Sequence, residues 1–197
     1  LSKKFKFSNI KANSKFNVES LEYPITSLKE FFPGYKDKVK FDNNVLNLDY
    51  QNGNYKLSGD SKLNINEDID SLGYSIEKQK DKIFFKTDFE VKSNALNLDL
   101  LNYTKKKDIK SKLIVEGVVN KNNSVFLNKI NFIESKNLIR VKNVNLSSKK
   151  KLKRIDQIDI DLVNNNGQNS QLNIKRKKGN YSINSKIFDG TRILDRI

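Results

Sequence analysis

The residues able to do chemistry are few and of limited kinds. The chain has 197 residues, with neither His nor Cys, which excludes disulfides, thiolate chemistry and the two commonest transition-metal ligands. Asp, Glu, Ser and Lys are left. Asn66, Asp68, Asp70 and Glu77 fall at positions one, three, five and twelve of a calcium loop, where alternate oxygen ligands converge on one ion. Position six should be Gly for the sharp turn but is Ser71, and the flanks read as strands, so acidic turn residues explain the pattern better. Asp159 and Asp161 share one face of a strand. Paired carboxylates do acid–base work where a pocket separates their pKa values, but these two lie on the polar phase opposite Ile158, Ile160 and Leu162. Ser8 to Lys11 and Ser147 to Lys150 match S-x-x-K without the companion S-D-N and K-T-G elements. Neither a G-x-G-x-x-G nor a Walker-type loop occurs. The expectation is a chain with no catalytic residues, no metal and no cofactor.

Charge offers a different route to function. Lys and Arg number 38 against 23 Asp and Glu, for a net charge of +15, which points to nucleic acid or an anionic surface. Only five of the basic residues are Arg (140, 154, 176, 192 and 196), although Arg is the better fork for phosphates. The abundance of Asn, Ile, Leu, Phe and Tyr suits AT-rich codons, so compositional drift on a solvated face accounts for much of the Lys excess. Stacking on single strands would need aromatics among the Lys residues. Instead Phe85, Phe89, Phe132 and Tyr181 lie on the apolar phase, and Phe84 is the main exception. No specific nucleic-acid partner is expected.

The elements that must position these residues read as strands. Leu46, Leu48 and Tyr50 alternate with polar residues, followed by Tyr55, Leu57, Gly59, Ser61, Leu63 and Ile65. Phe85, Thr87, Phe89 and Val91 continue the pattern, then Leu96, Leu98 and Leu100, then Leu113, Val115, Gly117 and Val119. Ile130 and Phe132, Ile139 and Val141, Ile158, Ile160 and Leu162, Leu172 and Ile174, and Tyr181, Ile183 and Ile187 complete it. Period-two alternation marks half-buried antiparallel strands. Turn formers such as Gln51-Asn52-Gly53-Asn54 and Lys178-Gly179-Asn180 separate them. The pattern predicts an all-β chain of about twelve short strands. It also predicts one short helix near Thr26 to Phe32, capped by Ser27 with Glu30 and stopped at Pro33-Gly34, a Lys-rich loop at Thr104 to Lys107, and a helical turn over Thr191 to Ile197.

Each strand offers one apolar face, and there are few helices to cover it. Two such faces could close as a sandwich, or one long sheet could curl into a trough with an apolar lining. The apolar phases predicted to line up in such a groove are Leu48, Leu57, Leu63, Phe85, Phe89, Leu96, Leu98, Leu100, Leu113, Val115, Val119, Ile130, Phe132, Ile139, Val141, Ile158, Ile160, Leu162, Leu172, Ile174 and Ile183. The chain begins at Leu1 and contains no Met, which reads as a section of a longer protein. Nothing near its start resembles a secretory signal, and no stretch approaches the ~20 apolar residues of a membrane-spanning helix.

The stretch Lys82-IFFKTDFEVKSNALNLDLLNYTKKKDIKSKLIVEGVV-Asn120, and again Tyr181-SINSKIFDGTRILD-Arg196, resembles the large AsmA-like envelope proteins of Gram-negative bacteria, of the YhdP and TamB type. The similarity is one of texture over residues 35 to 197: repeated short amphipathic strands, and a closing Phe-Asp-Gly before Leu-Asp. It implies one section of a periplasmic β-groove array in a protein anchored at the inner membrane. Such a protein carries phospholipid acyl chains towards the outer membrane without catalytic residues, and meets membranes through its other parts. The shorter lipopolysaccharide-bridge type of β-jellyroll is a related possibility. The alternative reading is a basic β domain that binds an anionic surface or nucleic acid through its Lys-rich faces.

Overall fold

The structure, a computed structural model, describes residues 10–66 and 68–188. About 70% of it is strand and 4% helical. Fourteen strands are seen among the described residues: β1 (Lys11–Pro24), β2 (Lys38–Gln51), β3 (Asn54–Ile65), β4 (Asp68–Gln79), β5 (Lys82–Val91), β6 (Leu96–Leu98), β7 (Tyr103–Lys105), β8 (Ser111–Asn120), β9 (Val125–Glu134), β10 (Asn137–Leu146), β11 (Leu152–Arg154), β12 (Gln157–Val163), β13 (Asn169–Lys177) and β14 (Asn180–Lys186). Twelve form one antiparallel sheet in the order β1-β2-β3-β4-β5-β8-β9-β10-β12-β13-β14, with β11 beside β10. β1 and β14 do not pair, so the sheet is open rather than a barrel.

Local chemistry explains this meander. Asn52 and Gly53 have φ of 49° and 82°, and Gln51 pairs with Asn54. This is the two-residue turn with both centres at positive φ, whose twist matches the flanking strands. Lys178-Gly179 repeats it between β13 and β14. The strands between have no Pro to remove a ladder donor.

One bulge redirects the side chains of β2. The pairing jumps from Asp42–Lys62 to Val45–Asp60, with Asn43 at φ 51°. The extra residue changes the phase of β2. Val39 and Phe41 face inward before it, and Asn44, Leu46, Leu48 and Tyr50 face inward after it.

The predicted helix is a 3-10 turn over Thr26–Glu30, with no side-chain cap hydrogen bond. The Ser27–Glu30 capping box is therefore not used. The turn exists because its apolar side chains are needed elsewhere. Phe32 reaches the sheet, with its ring 6.2 Å from that of Phe89. The segment at Thr191 to Ile197 lies outside the described residues.

Leu96, Leu98 and Leu100 correct the expected strand order. They do not join the sheet between β5 and β8, which pair directly with each other. β6 and β7 instead make a separate hairpin, joined by a 3-10 turn at Asp99–Leu101. Leu96 is buried, whereas Leu100 is 40% exposed. The hairpin and the 26–35 segment together lie on the inner face at one end of the sheet, linked by the Asn97 N–H donating to the Phe31 carbonyl at 2.7 Å. Beneath them is the core: Val39, Ile65, Val91, Leu63, Phe132 and Leu162. Tyr103 stands edge-on to Phe132 at 5.9 Å. This plug is the second layer, and it covers only part of the face.

Candidate functional site

The register builds one apolar face across the sheet. Directly opposed residues lie on the same face, so the pairings can be read as a row. From β1 to β14 it runs Phe16, Leu46, Gly59, Tyr74, Thr87, Val115, Ile130, Val141, Ile158, Ile174 and Ile183. On the plug side a parallel row runs Leu72, Phe89, Leu113, Phe132, Ile139, Ile160 and Leu172. On the other side come Leu48, Leu57, Ile76, Phe85, Gly117, Leu127 and Val144. A last row at the hairpin turns contains Tyr50, Tyr55, Lys78, Ile83, Val119 and Val125.

All but three of the predicted groove residues therefore fall on this face, the exceptions being Leu96, Leu98 and Leu100 in the plug. Leu63, Phe132, Ile160 and Leu162 are on it but sealed under the plug, at 7% exposure or less. The open part lies beyond the plug. A cavity of about 540 Å³ is lined there by Val18 and Leu21 of β1, Phe41, Asn44 and Leu46 of β2, Leu57 of β3, Leu72, Tyr74 and Ile76 of β4, and Phe85, Lys86 and Thr87 of β5. With strands about 4.8 Å apart, β1 and β5 stand roughly 19 Å apart across a flat sheet. One cavity touching both reflects a sheet curled into a trough.

Polar groups in the trough are few. The Asn44 amide donates to the carbonyls of Phe41 at 3.1 Å and Val18 at 3.4 Å. The Lys86 ammonium pairs with Glu116 at 3.4 Å on the other face. Tyr74 lies over Gly59, its hydroxyl 3.0 Å from where a Cβ would stand. Burial, aided by Asp60, raises the Tyr74 pKa, as expected for a phenol partly withdrawn from water.

Charges under the plug are held by hydrogen bonds to neutral groups. Asp70 accepts from the backbone N–H groups of Lys92 and Ser93, each at 2.7 Å, and from the Asn94 amide at 2.8 Å. Lys105 is fully buried and donates to the carbonyls of Lys92 at 2.7 Å and Asn94 at 2.6 Å. The Tyr103 hydroxyl donates to Glu134 and accepts from the Asn137 amide. The expected Lys-rich loop at Thr104 to Lys107 is thus cut back to its second half, since Thr104 and Lys105 belong to β7 while Lys106 and Lys107 lie beyond its end.

The calcium pattern dissolves into a strand. Asp68, Asp70 and Glu77 lie along β4, and Asp70 points under the plug. Among the described residues no group of three acidic side chains could hold a metal. Asp159 and Asp161 sit on the outer face, where amides hold them: Gln157 and Asn173 on Asp159, and Gln171 on Asp161. Outer lysines are interleaved with carboxylates, as in Lys112–Asp88 at 2.7 Å, Lys110–Glu90 at 3.0 Å and Lys129–Glu116 at 3.7 Å.

The sequence reading missed Leu72, Tyr74 and Ile76 as lining, although their period-two spacing on β4 is plain. It missed Phe41 because the bulge at Asn43 breaks the alternation in β2. No family model, curated protein or solved structure matches the chain.

Proposed function

We propose that this chain is a non-catalytic, lipid-carrying segment whose curled inner face holds acyl chains. The observation that carries this reading is the uncovered trough over β1 to β5, lined almost wholly by Val, Leu, Ile, Phe and Tyr. Monomeric proteins seldom leave so extended an apolar surface without a partner. An acyl chain gains about 0.8 kcal/mol for each methylene buried, so tails are held without a specific polar contact and released without breaking one. In its fuller form, the proposal places the chain in the periplasmic part of an AsmA-like protein anchored at the inner membrane, moving phospholipid towards the outer membrane. The strand texture of the sequence supports that form.

The test is a charge placed in the open trough. Leu98 and Ile160 are unsuitable positions, because the first is in the plug and the second beneath it. Leu57→Glu and Ile76→Glu lie in the uncovered part. Purified variants with the parent's circular dichroism spectrum are expected to lose most co-purifying phospholipid, read by mass spectrometry. Undiminished lipid in folded variants rejects the groove. The polyanion reading takes second place because the outer lysines are interleaved with carboxylates. It predicts a steep fall of affinity with log salt through counterion release, and a shallow slope counts against it.

A further inference from the structure

We infer that the trough is polarised, with an anion-accepting mouth at Lys78 flanked by Tyr55, so that its occupant is an anionic amphiphile lying head at the hairpin turns and tail towards the plug. This rests on the acyl-chain reading and adds the headgroup's chemistry and orientation.

The argument begins with phase. β4 runs without a bulge from Leu72 to Lys78, so Leu72, Tyr74, Ile76 and Lys78 all face inward. On the inner phase of β1 to β5 the described residues include three charged side chains, Asp68, Asp70 and Lys78, and Asp68 is paired with Lys107. Asp70 is consumed by the backbone beneath the plug. Lys78 is at the opposite end of the same strand, about 20 Å from Leu72 at ~3.4 Å per residue.

Its surroundings suit a headgroup. The ammonium stands 6.0 Å from the centre of the Tyr55 ring, which orients it by cation–π attraction. Tyr55 is opposite Tyr50, and Lys78 is opposite Ile83. No carboxylate among the described residues pairs with Lys78. Its neighbours on the same face one step inward are Leu57, Ile76 and Phe85. A cation on an otherwise apolar face costs desolvation, and an anion bound with its tail along the trough offsets that cost. The two ends of the trough are therefore unlike: one is closed by the plug, and the other is open and positive.

The experiment uses the whole chain with three probes: dodecyl phosphate, dodecanol and inorganic phosphate, each read by displacement of a fluorescent fatty acid or by calorimetry. Dodecyl phosphate is expected to bind about five-fold tighter than dodecanol, the ratio given by a partly exposed ion pair of about 1 kcal/mol. Lys78→Gln should remove that ratio while leaving dodecanol affinity unchanged, and Lys78→Arg should keep it. In the unaltered chain the ratio should also shrink as salt rises, a reading that needs no variant. Equal binding of the two dodecyl probes, or a ratio that survives Lys78→Gln, overturns the inference and leaves the groove standing. Inorganic phosphate binding as tightly as dodecyl phosphate shows a free-anion site and overturns it as well. If neither dodecyl probe binds, the groove itself fails.

Discussion

At the scale of single residues, Gly59 and Tyr103 decide the most. A Cβ on Gly59 would stand 2.3 Å from the Val45 carbonyl oxygen and against the Tyr74 ring. The contact is with backbone at a bulge, so it is not relieved by turning a side chain. Gly59→Ala is expected to cost about 1–3 kcal/mol, measured as a lower urea midpoint with an unchanged slope. Tyr103 is held above its ordinary 10.0, first by burial and then by its hydrogen bond to Glu134. A pKa raised on folding gives stability that is complete below pH 10 and lost as pH rises towards the folded value, because the unfolded chain releases its proton first. Lys105 runs the other way. Burial lowers it below 10.5, and Asp70, Glu134 and Asp108 only partly oppose this, so the cost of keeping it charged is relieved as pH rises. Tyr103→Phe should therefore be less stable at pH 8 by about 1–3 kcal/mol, since it strips Glu134 of a donor. Its deficit should narrow above pH 10, where the parent alone loses the Tyr103 contribution. Urea titrations at pH 8 and 10.5 check this, and a constant deficit would count against it. The roles of Gly59 and Lys105 were not legible in the sequence. Gly59 read as an ordinary strand position, and Lys105 lay in a run of lysines whose obvious place is solvent.

Elements separate what pattern shows from what packing decides. The alternation at Leu113 to Val119 and at Ile158 to Leu162 gave true strands, because each face has a single neighbour layer and period two is all that such strands require. The same alternation at Leu96 to Leu100 was misleading. Those residues also alternate, but their two faces meet the sheet and the solvent as a plug, and periodicity holds no information about which layer an element joins. β1 was overlooked because Lys, Asn and Ser dilute Phe16 and Val18 on an edge strand with little to bury. The plug makes a sharp prediction about neighbours that the sequence treats alike. Leu96→Ala should cost about 2–5 kcal/mol, as for a buried leucine, whereas Leu100→Ala should fall within ~0.5 kcal/mol of the parent. Equal losses at both positions would mean that the hairpin does not seat on the sheet as described.

For the whole molecule, the consequence of a meander is that cohesion is local. In the main sheet every strand from β2 to β10 pairs with its nearest sheet partners in the chain, and the plug alone spans several strands at once. Stability is then close to a sum of neighbour terms, as in repeat proteins, and opening should begin where one neighbour is missing. β14 has one partner, and all its residues are exposed, with Ile183 at 66%. β1 is likewise exposed along nearly its whole length, with only Val18 half-buried. β5, β8 and β9 are paired on both sides, and Phe89, Leu113 and Phe132 tie them to the plug. Native-state hydrogen exchange followed by mass spectrometry should therefore show β14 exchanging first and β1 soon after. Protection should rise strand by strand to a maximum at β5, β8 and β9. Acyl ligand bound in the trough should slow exchange in β1 to β5 while leaving β13 and β14 unchanged, since the cavity is lined from the first five strands alone. Protection that appears and vanishes uniformly along the chain would show that the sheet opens as one unit, and that the trough is stabilised by more than its neighbouring strands.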